Sequence, residues 1–172
     1  NAPKARGVGR YFDAVGALLL SRPQARYEGQ VAVELNMAAQ PLERGRYSFA
    51  IEPDEDGLWE VDLRPMTWQL VADLQRGVAV ATMAARFHNT LARAAKEMLF
   101  AVISPREATR VVLSGGCFQN PLLVERIADE LPAQFEVVVH RDVPPGDGGI
   151  SLGQAVIADA RARAMREDTL CA

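Results

Sequence analysis

Lysine is nearly missing from this chain of 172 residues: only Lys4 and Lys96 occur, and arginine supplies the rest of the positive charge. Alanine is abundant as well, so the bias reads as the base composition of the source genome and names no partner. It does exclude one chemistry, because no lysine follows a glycine-rich turn, as a Walker phosphate loop requires. The three spaced glycines of a dinucleotide fingerprint are also absent. Histidine is limited to His88 and His140, and cysteine to Cys117 and Cys171. Two distant cysteines make neither a zinc pattern nor a disulfide framework, which leaves a reducing cytoplasm as the expected compartment. Aromatic residues are only 6% of the chain, and the longest apolar runs, such as 14–20, fall far short of the ~20 residues a membrane span needs. With no secretory segment either, a soluble chain is expected, with no membrane partner. The net charge of −3 gives no electrostatic reason to expect nucleic acid.

What is present is ordinary globular material, 49% apolar and 24% charged, in a length that buries roughly two thirds of its unfolded surface. The chain begins without methionine in a polar stretch, Asn1 to Arg10, as expected of a fragment cut from something longer. Residues 1–45 read as a helical segment and residues 46–172 as an α/β lobe. Helical spacing from Tyr11 to Leu20 stops at Pro23, and a second helix is expected over 27–39. Alternating segments at 47–51 and 58–63, split by an acidic turn, predict a β-hairpin. Pro65 ends its second strand, and a short helix over 68–75 is closed by Gly77. Met83, Phe87, Leu91, Ala94, Met98 and Val102 draw one apolar stripe along a long helix over 78–103. His88 lies beside that stripe and reads as a half-buried, hydrogen-bonded histidine. Strand 110–114, helix 121–131, strand 136–140 and helix 150–166 then follow, with Asn120 as N-cap, Pro121 at the first helical position and residues 167–172 frayed. Such alternation is α/β wiring with right-handed crossovers, and it places ligand space at the carboxyl ends of the strands.

Two glycine-rich turns occupy those ends. In Ser114-Gly115-Gly116-Cys117-Phe118-Gln119-Asn120-Pro121, successive glycines bring backbone N–H groups towards a ligand, and the following helix adds its unpaired N–H groups and positive dipole end. A phosphate suits that junction. Pro144-Pro145-Gly146-Asp147-Gly148-Gly149 places one carboxylate on a second such turn, and the two turns are expected to form two walls of one site. The plainer alternatives are a tight strand-to-helix turn at the first and, at the second, an aspartate bonding its own backbone. With no lysine nearby, charge neutralisation falls to a metal held by Asp147 or to Mg²⁺ arriving with a nucleotide. One carboxylate does not complete a metal site. Cys117 reads as a small packed residue.

These motifs resemble a known family. Val111-Val112-Leu113-Ser114-Gly115-Gly116-Cys117-Phe118-Gln119-Asn120 and Val143-Pro144-Pro145-Gly146-Asp147-Gly148-Gly149-Ile150-Ser151-Leu152-Gly153-Gln154-Ala155 resemble the C-terminal end of the HypF carbamoyltransferases. Upstream, Gly9-Arg10-Tyr11-Phe12-Asp13-Ala14-Val15, Tyr27-Glu28-Gly29-Gln30 and Phe87-His88-Asn89-Thr90-Leu91-Ala92 are similar to that family's segments in the same order. The resemblance implies the second lobe of a TsaD-like domain within the actin-like, sugar-kinase-like ATPase fold. It implies an enzyme of nickel–iron hydrogenase maturation that makes carbamoyl adenylate from carbamoyl phosphate and ATP, releasing pyrophosphate. The carbamoyl group passes to the C-terminal cysteine of HypE, the partner, and later becomes cyanide on iron. By matching motif, Ser114, Gly115, Gly116 and Asn120, with Gly148 and Gly149, would line the nucleotide. Glu28 and Gly29 would lie near it, and Asp147 would bind the divalent metal, iron or zinc. No residue of the chain is expected to be a nucleophile, since the reactive cysteine belongs to HypE.

The family's acylphosphatase-like, zinc-finger and YrdC-like regions, and the first lobe with its His-x-x-x-His metal ligands, are not among these residues. The chain alone is therefore expected to fold, bind ATP weakly and turn nothing over. Nearby alternatives are an O-carbamoyltransferase of the same fold or TsaD, although Gly-Asp-Gly-Gly at 146–149 departs from TsaD's Asp-Asn-Gly. A non-catalytic lobe that docks HypE is the alternative of a different kind, and a sugar kinase is less favoured because the fold alone does not fix function.

Overall fold

In a computed structural model, residues 7–103 and 109–170 are described. Helix α1 (Val8–Leu19) starts before Tyr11, since Val8 and Gly9 already have helical geometry behind the Gly7 cap. Helix α2 (Gln30–Ala38) starts later than expected, because Gly29 takes the left-handed conformation at φ 79° and ends the Tyr27-Glu28 turn before the helix can form. Gly16 lets α1 and α2 approach closely: a Cβ there would stand 2.2 Å from Val31 Cγ1.

The hairpin forms, with β1 (Ala50–Pro53) antiparallel to β2 (Trp59–Asp62). Tyr47 to Phe49 lie outside it, and side chains take up the first two N–H groups instead: Tyr47 N–H donates to Thr90 Oγ1 at 2.9 Å and Ser48 N–H to Gln69 Oε1 at 2.8 Å. Helix α3 (Arg64–Gln75) carries Pro65 in its first turn, so the proline that stops the strand also starts the helix. Gly77, at φ 72°, follows its end as expected.

Helix α4 (Val80–Val102) is the spine of the molecule. The single-stripe expectation fails along its middle, where Ala84, Ala85, His88, Asn89, Thr90 and Ala92 are buried beside Met83, Phe87 and Leu91. Several elements pack around it, namely α1, α2, α3, the hairpin and the later α5, so more than one face is covered. At the far end the stripe runs out, and Val102 is exposed. His88 is correspondingly fully buried rather than half-buried. A polar cluster secures the base of the helix: Asp73 on α3 accepts from Tyr47 Oη at 3.1 Å and from Arg86 at 2.9 Å, and also pairs with Arg76. Burial pushes the Asp73 carboxyl up, but these three hydrogen bonds outweigh it and hold the group below its ordinary value.

Strand β3 (Arg110–Leu113) and β4 (Glu136–Val139) pair in parallel, Arg110 against Glu136 through Leu113 against Val139. A parallel pair needs a crossover, which α5 (Pro121–Glu130) supplies. The expected α/β wiring is thus present, reduced among the described residues to one small parallel sheet and one hairpin. One buried cluster, from Phe12 on α1 to Phe135 before β4, joins the N-terminal helices to the rest. Helix α6 (Ile150–Leu170) runs through the residues expected to fray up to Leu170, while Cys171 and Ala172 lie outside the described residues. No helix among the described residues is long and apolar enough to cross a membrane.

Candidate functional site

Both glycine turns leave the carboxyl ends of β3 and β4, and the parallel pairing brings them side by side. Gly115, at φ 114°, turns the chain out of β3, and its N–H donates to Pro145 O at 2.7 Å. Residues Gly116–Gln119 then make one 3-10 turn, after which Asn120 caps α5: its Oδ1 accepts from Leu123 N–H at 3.0 Å, with Pro121 next in the helix as expected. On the second turn, Gly149 N–H closes back on Gly146 O at 3.0 Å, ahead of α6. Side chains have little room at two of these glycines, and at Gly149 none unless the backbone shifts. A Cβ on Gly146 would meet Gln119 Nε2 at 3.1 Å and Gly116 Cα at 3.5 Å, and one on Gly149 would stand 2.7 Å from Pro144 O.

Between the turns and the N-terminal helices lies a cleft of about 680 Å³, within the roughly 300–1,000 Å³ range of small-molecule sites. Gly116, Asn120, Asp147 and Gly148 line one side, and Glu28 and Gly29, at the start of α2, line the other. The remaining sequence candidates, Ser114, Gly115 and Gly149, were expected to line the nucleotide but are not among the residues lining the cleft. Gly115 ties the turns together, Gly149 closes the second turn, and Ser114 Oγ meets His140 Nε2 at 3.1 Å on the exposed side.

The Asp147 carboxylate is exposed and has no hydrogen-bonding or ion-pair partner among the described residues. The plainer alternative, an aspartate bonding its own backbone, is therefore not realised. The charged groups of the cleft are Asp13, Glu28 and Asp147 against Arg10, which already pairs with Asp13 at 2.8 Å. Carboxylates outnumber cations, so an anionic ligand here needs a cation with it. Among the described residues no group of three His, Cys, Asp or Glu side chains could hold a metal, so a metal at Asp147 would need further ligands from beyond the described residues. Cys117 also borders the cleft, half-buried against the core. Burial pushes its thiol above the ordinary 9.0, only partly opposed by the N–H groups of Cys117 and Gly9, so it is protonated at neutral pH and a poor nucleophile.

Two features escaped the sequence. Asn36 on α2 lines the cleft with its Oδ1 buried and without a hydrogen-bond partner. The only hint was one polar residue between Leu35 and Met37. His88 reaches the site through Asn120, its Nε2 lying 2.9 Å from the amide nitrogen of that side chain.

An α/β lobe whose strand-end glycine turns frame a ligand cleft is the architecture here, and residues 1–154 match the model of the carbamoyltransferase Kae1-like domain, second subdomain. The chain belongs to this family, the HypF carbamoyltransferases. It is 32% identical to carbamoyltransferase HypF2 of Cupriavidus necator, over 94% of the chain and 23% of the relative. It is likewise 32% identical to carbamoyltransferase HypF of Synechocystis sp., over 94% of the chain and 20% of the relative. A HypF homolog of Cupriavidus necator is 35% identical over 92% of the chain and 41% of its own length. The crystal structure of full-length HypF in the phosphate- and nucleotide-bound form superposes with a TM-score of 0.81 at 37% identity, covering 90% of this chain and 24% of that one. The T. kodakarensis HypF structure, at 24% identity and a TM-score of 0.73, shares the fold. The chain thus spans between a fifth and two fifths of the length of these curated relatives.

Proposed function

We propose that this chain is the second lobe of the transfer domain of a HypF carbamoyltransferase, of the TsaD type within the actin-like, sugar-kinase-like ATPase architecture. The whole enzyme uses carbamoyl phosphate and ATP, through carbamoyl adenylate and with release of AMP and pyrophosphate, to carbamoylate the C-terminal cysteine of HypE. The reaction serves nickel–iron hydrogenase maturation in the cytoplasm. The observation that carries this reading is the convergence of both glycine turns and the unpartnered Asp147 on one cleft.

In that cleft, the backbone N–H groups at Gly116 and Gly148 and the start of α5 accommodate phosphate oxygens without a lysine. Ser114, Gly115 and Gly149 fix the turns, and Asn120 turns its amide to the nucleotide. Glu28 and Gly29 bound the opposite wall, and the free acceptor of Asn36 suits a ribose hydroxyl or base amino group. Asp147 would hold a divalent metal, iron or zinc, with Mg²⁺ accompanying ATP. When bound, that metal polarises the carbamoyl carbonyl and offsets phosphate charge. The chain contributes no nucleophile, consistent with the raised Cys117 thiol. The attacking thiolate is HypE's.

The test compares full-length enzyme with its Asp147→Ala variant, scoring pyrophosphate release and carbamoyl transfer to HypE in the same tubes. Pyrophosphate release is expected to persist while transfer falls by about 10²-fold, the several kcal/mol a Lewis-acid cation supplies. If both persist, the lobe is a scaffold that docks HypE and the site assignment fails.

A further inference from the structure

We propose that His88 is a positioning residue that holds the Asn120 amide in a single orientation and so presents its remaining N–H to the nucleotide in the cleft. The inference rests on the nucleotide reading of that cleft and adds a residue outside it. His88 is fully buried in the middle of α4, with Phe12 and Phe87 edge-on to its ring at centroid distances of 5.3 and 5.7 Å. Its Nδ1 lies 2.7 Å from Ala84 O and its Nε2 lies 2.9 Å from Asn120 Nδ2.

Both ends of this chain of hydrogen bonds have fixed polarity. A helix carbonyl can only accept, so Nδ1 of His88 carries the proton and Nε2 is left as an acceptor. At the other end, Leu123 N–H can only donate, so Asn120 must turn Oδ1 to it and Nδ2 to His88. A flipped Asn120 amide would set two acceptors against each other at His88 and two donors at Leu123. The two constraints agree and leave one Nδ2–H of Asn120 uncommitted among the described residues, on a side chain that lines the cleft. Without the Nε2 acceptor only the cap bond holds the amide, and the donor's direction is no longer fixed.

The experiment places His88→Gln, His88→Asn and His88→Leu in the full-length enzyme. It measures the Kd for a non-hydrolysable ATP analogue, with Asn120→Ala marking the share of binding that belongs to this cleft. Glutamine can place an acceptor where Nε2 stood, asparagine reaches only the Nδ1 position, and leucine fills the volume with no acceptor. Gln is expected to bind within about twofold of wild type. Asn and Leu should bind about tenfold more weakly, as for one lost buried hydrogen bond. The double variant His88→Leu with Asn120→Ala should bind no worse than Asn120→Ala alone. If Leu unfolds, the contrast between Gln and Asn decides. If Leu and Asn bind as wild type while Asn120→Ala is weak, the positioning role is refuted and the cleft reading stands. If Asn120→Ala itself binds as wild type, the cleft reading fails, and this inference with it.

Discussion

At Gly149 the turn leaves no room for a side chain, because the first carbon of any replacement would collide with Pro144 O. A carbonyl in a closed turn cannot swing aside as a side chain can, so Gly149→Ala must displace the Asp147 turn. The expected result is a loss of about 1–3 kcal/mol in denaturant unfolding, together with weaker nucleotide binding. His88 makes a prediction of a different kind. Burial holds its imidazole below the ordinary 6.5, opposed in part by the bond to Ala84. The unfolded chain therefore takes up its proton at a higher pH than the folded one. Stability from this residue is full above about pH 6.5 and is lost as the pH falls through the lower folded value. Melting of His88→Gln, which has no such proton to bind, should fall less steeply over that window than melting of wild type. These residues were unequally legible. Glycines and Asn120 state backbone requirements, which sequence carries directly; the burial of His88 and the free acceptor of Asn36 depend on what other elements bring against them, which spacing along one helix does not reveal.

Among the elements, the contact of α1 with α2 is the most sharply constrained. Alanine at position 16 would favour α1 by about 1 kcal/mol of helix propensity. Its Cβ would nevertheless overlap Val31 Cγ1 and come within 3.3 Å of Val31 O, and valine is stiff about χ1. Overpacking costs of about 1–3 kcal/mol outweigh the propensity, so Gly16→Ala is expected to lower the melting temperature. In a Val31→Ala background the overlap with Cγ1 is gone, and the same change should raise it; two losses of equal size would show that the Val31 side chain is not what excludes a Cβ at position 16. Element type was legible throughout, from the hairpin to the β3–α5–β4 crossover. Boundaries were less so. Gly29 delayed α2 and Pro65 opened α3, and in both cases one residue had two admissible meanings that only the neighbouring elements resolve. The stripe on α4 understated burial for the same reason: a periodicity reading assigns a helix one covered face, whereas α4 is packed on several.

For the molecule as a whole, protection is distributed unevenly. The middle of α4 is buried among α1, α2, α3, α5 and the hairpin, whereas every residue from 150 to 165 of α6 is exposed, including Ile150, Leu152, Val156 and Ile157. The outer residues Val112 and Val139 of the parallel sheet are exposed as well, although parallel sheets are normally covered on both faces. Hydrogen exchange on the isolated chain should therefore show the slowest amides over 83–92 and fast exchange along 150–165. Equal protection of the two helices would contradict the packing described here. The same imbalance bears on activity. Among the described residues no group of three His, Cys, Asp or Glu side chains could hold a metal with Asp147, and the cleft has more carboxylates than cations, so these residues by themselves do not neutralise a bound triphosphate. Weak ATP binding and no carbamoyl transfer to HypE are the expected results for the isolated chain, measured by titration and by mass of the HypE C-terminal peptide. Turnover by these 172 residues alone would mean that the charge and the carbamoyl group can be managed without the rest of the enzyme, and would overturn the assignment of Asp147 to a shared metal site.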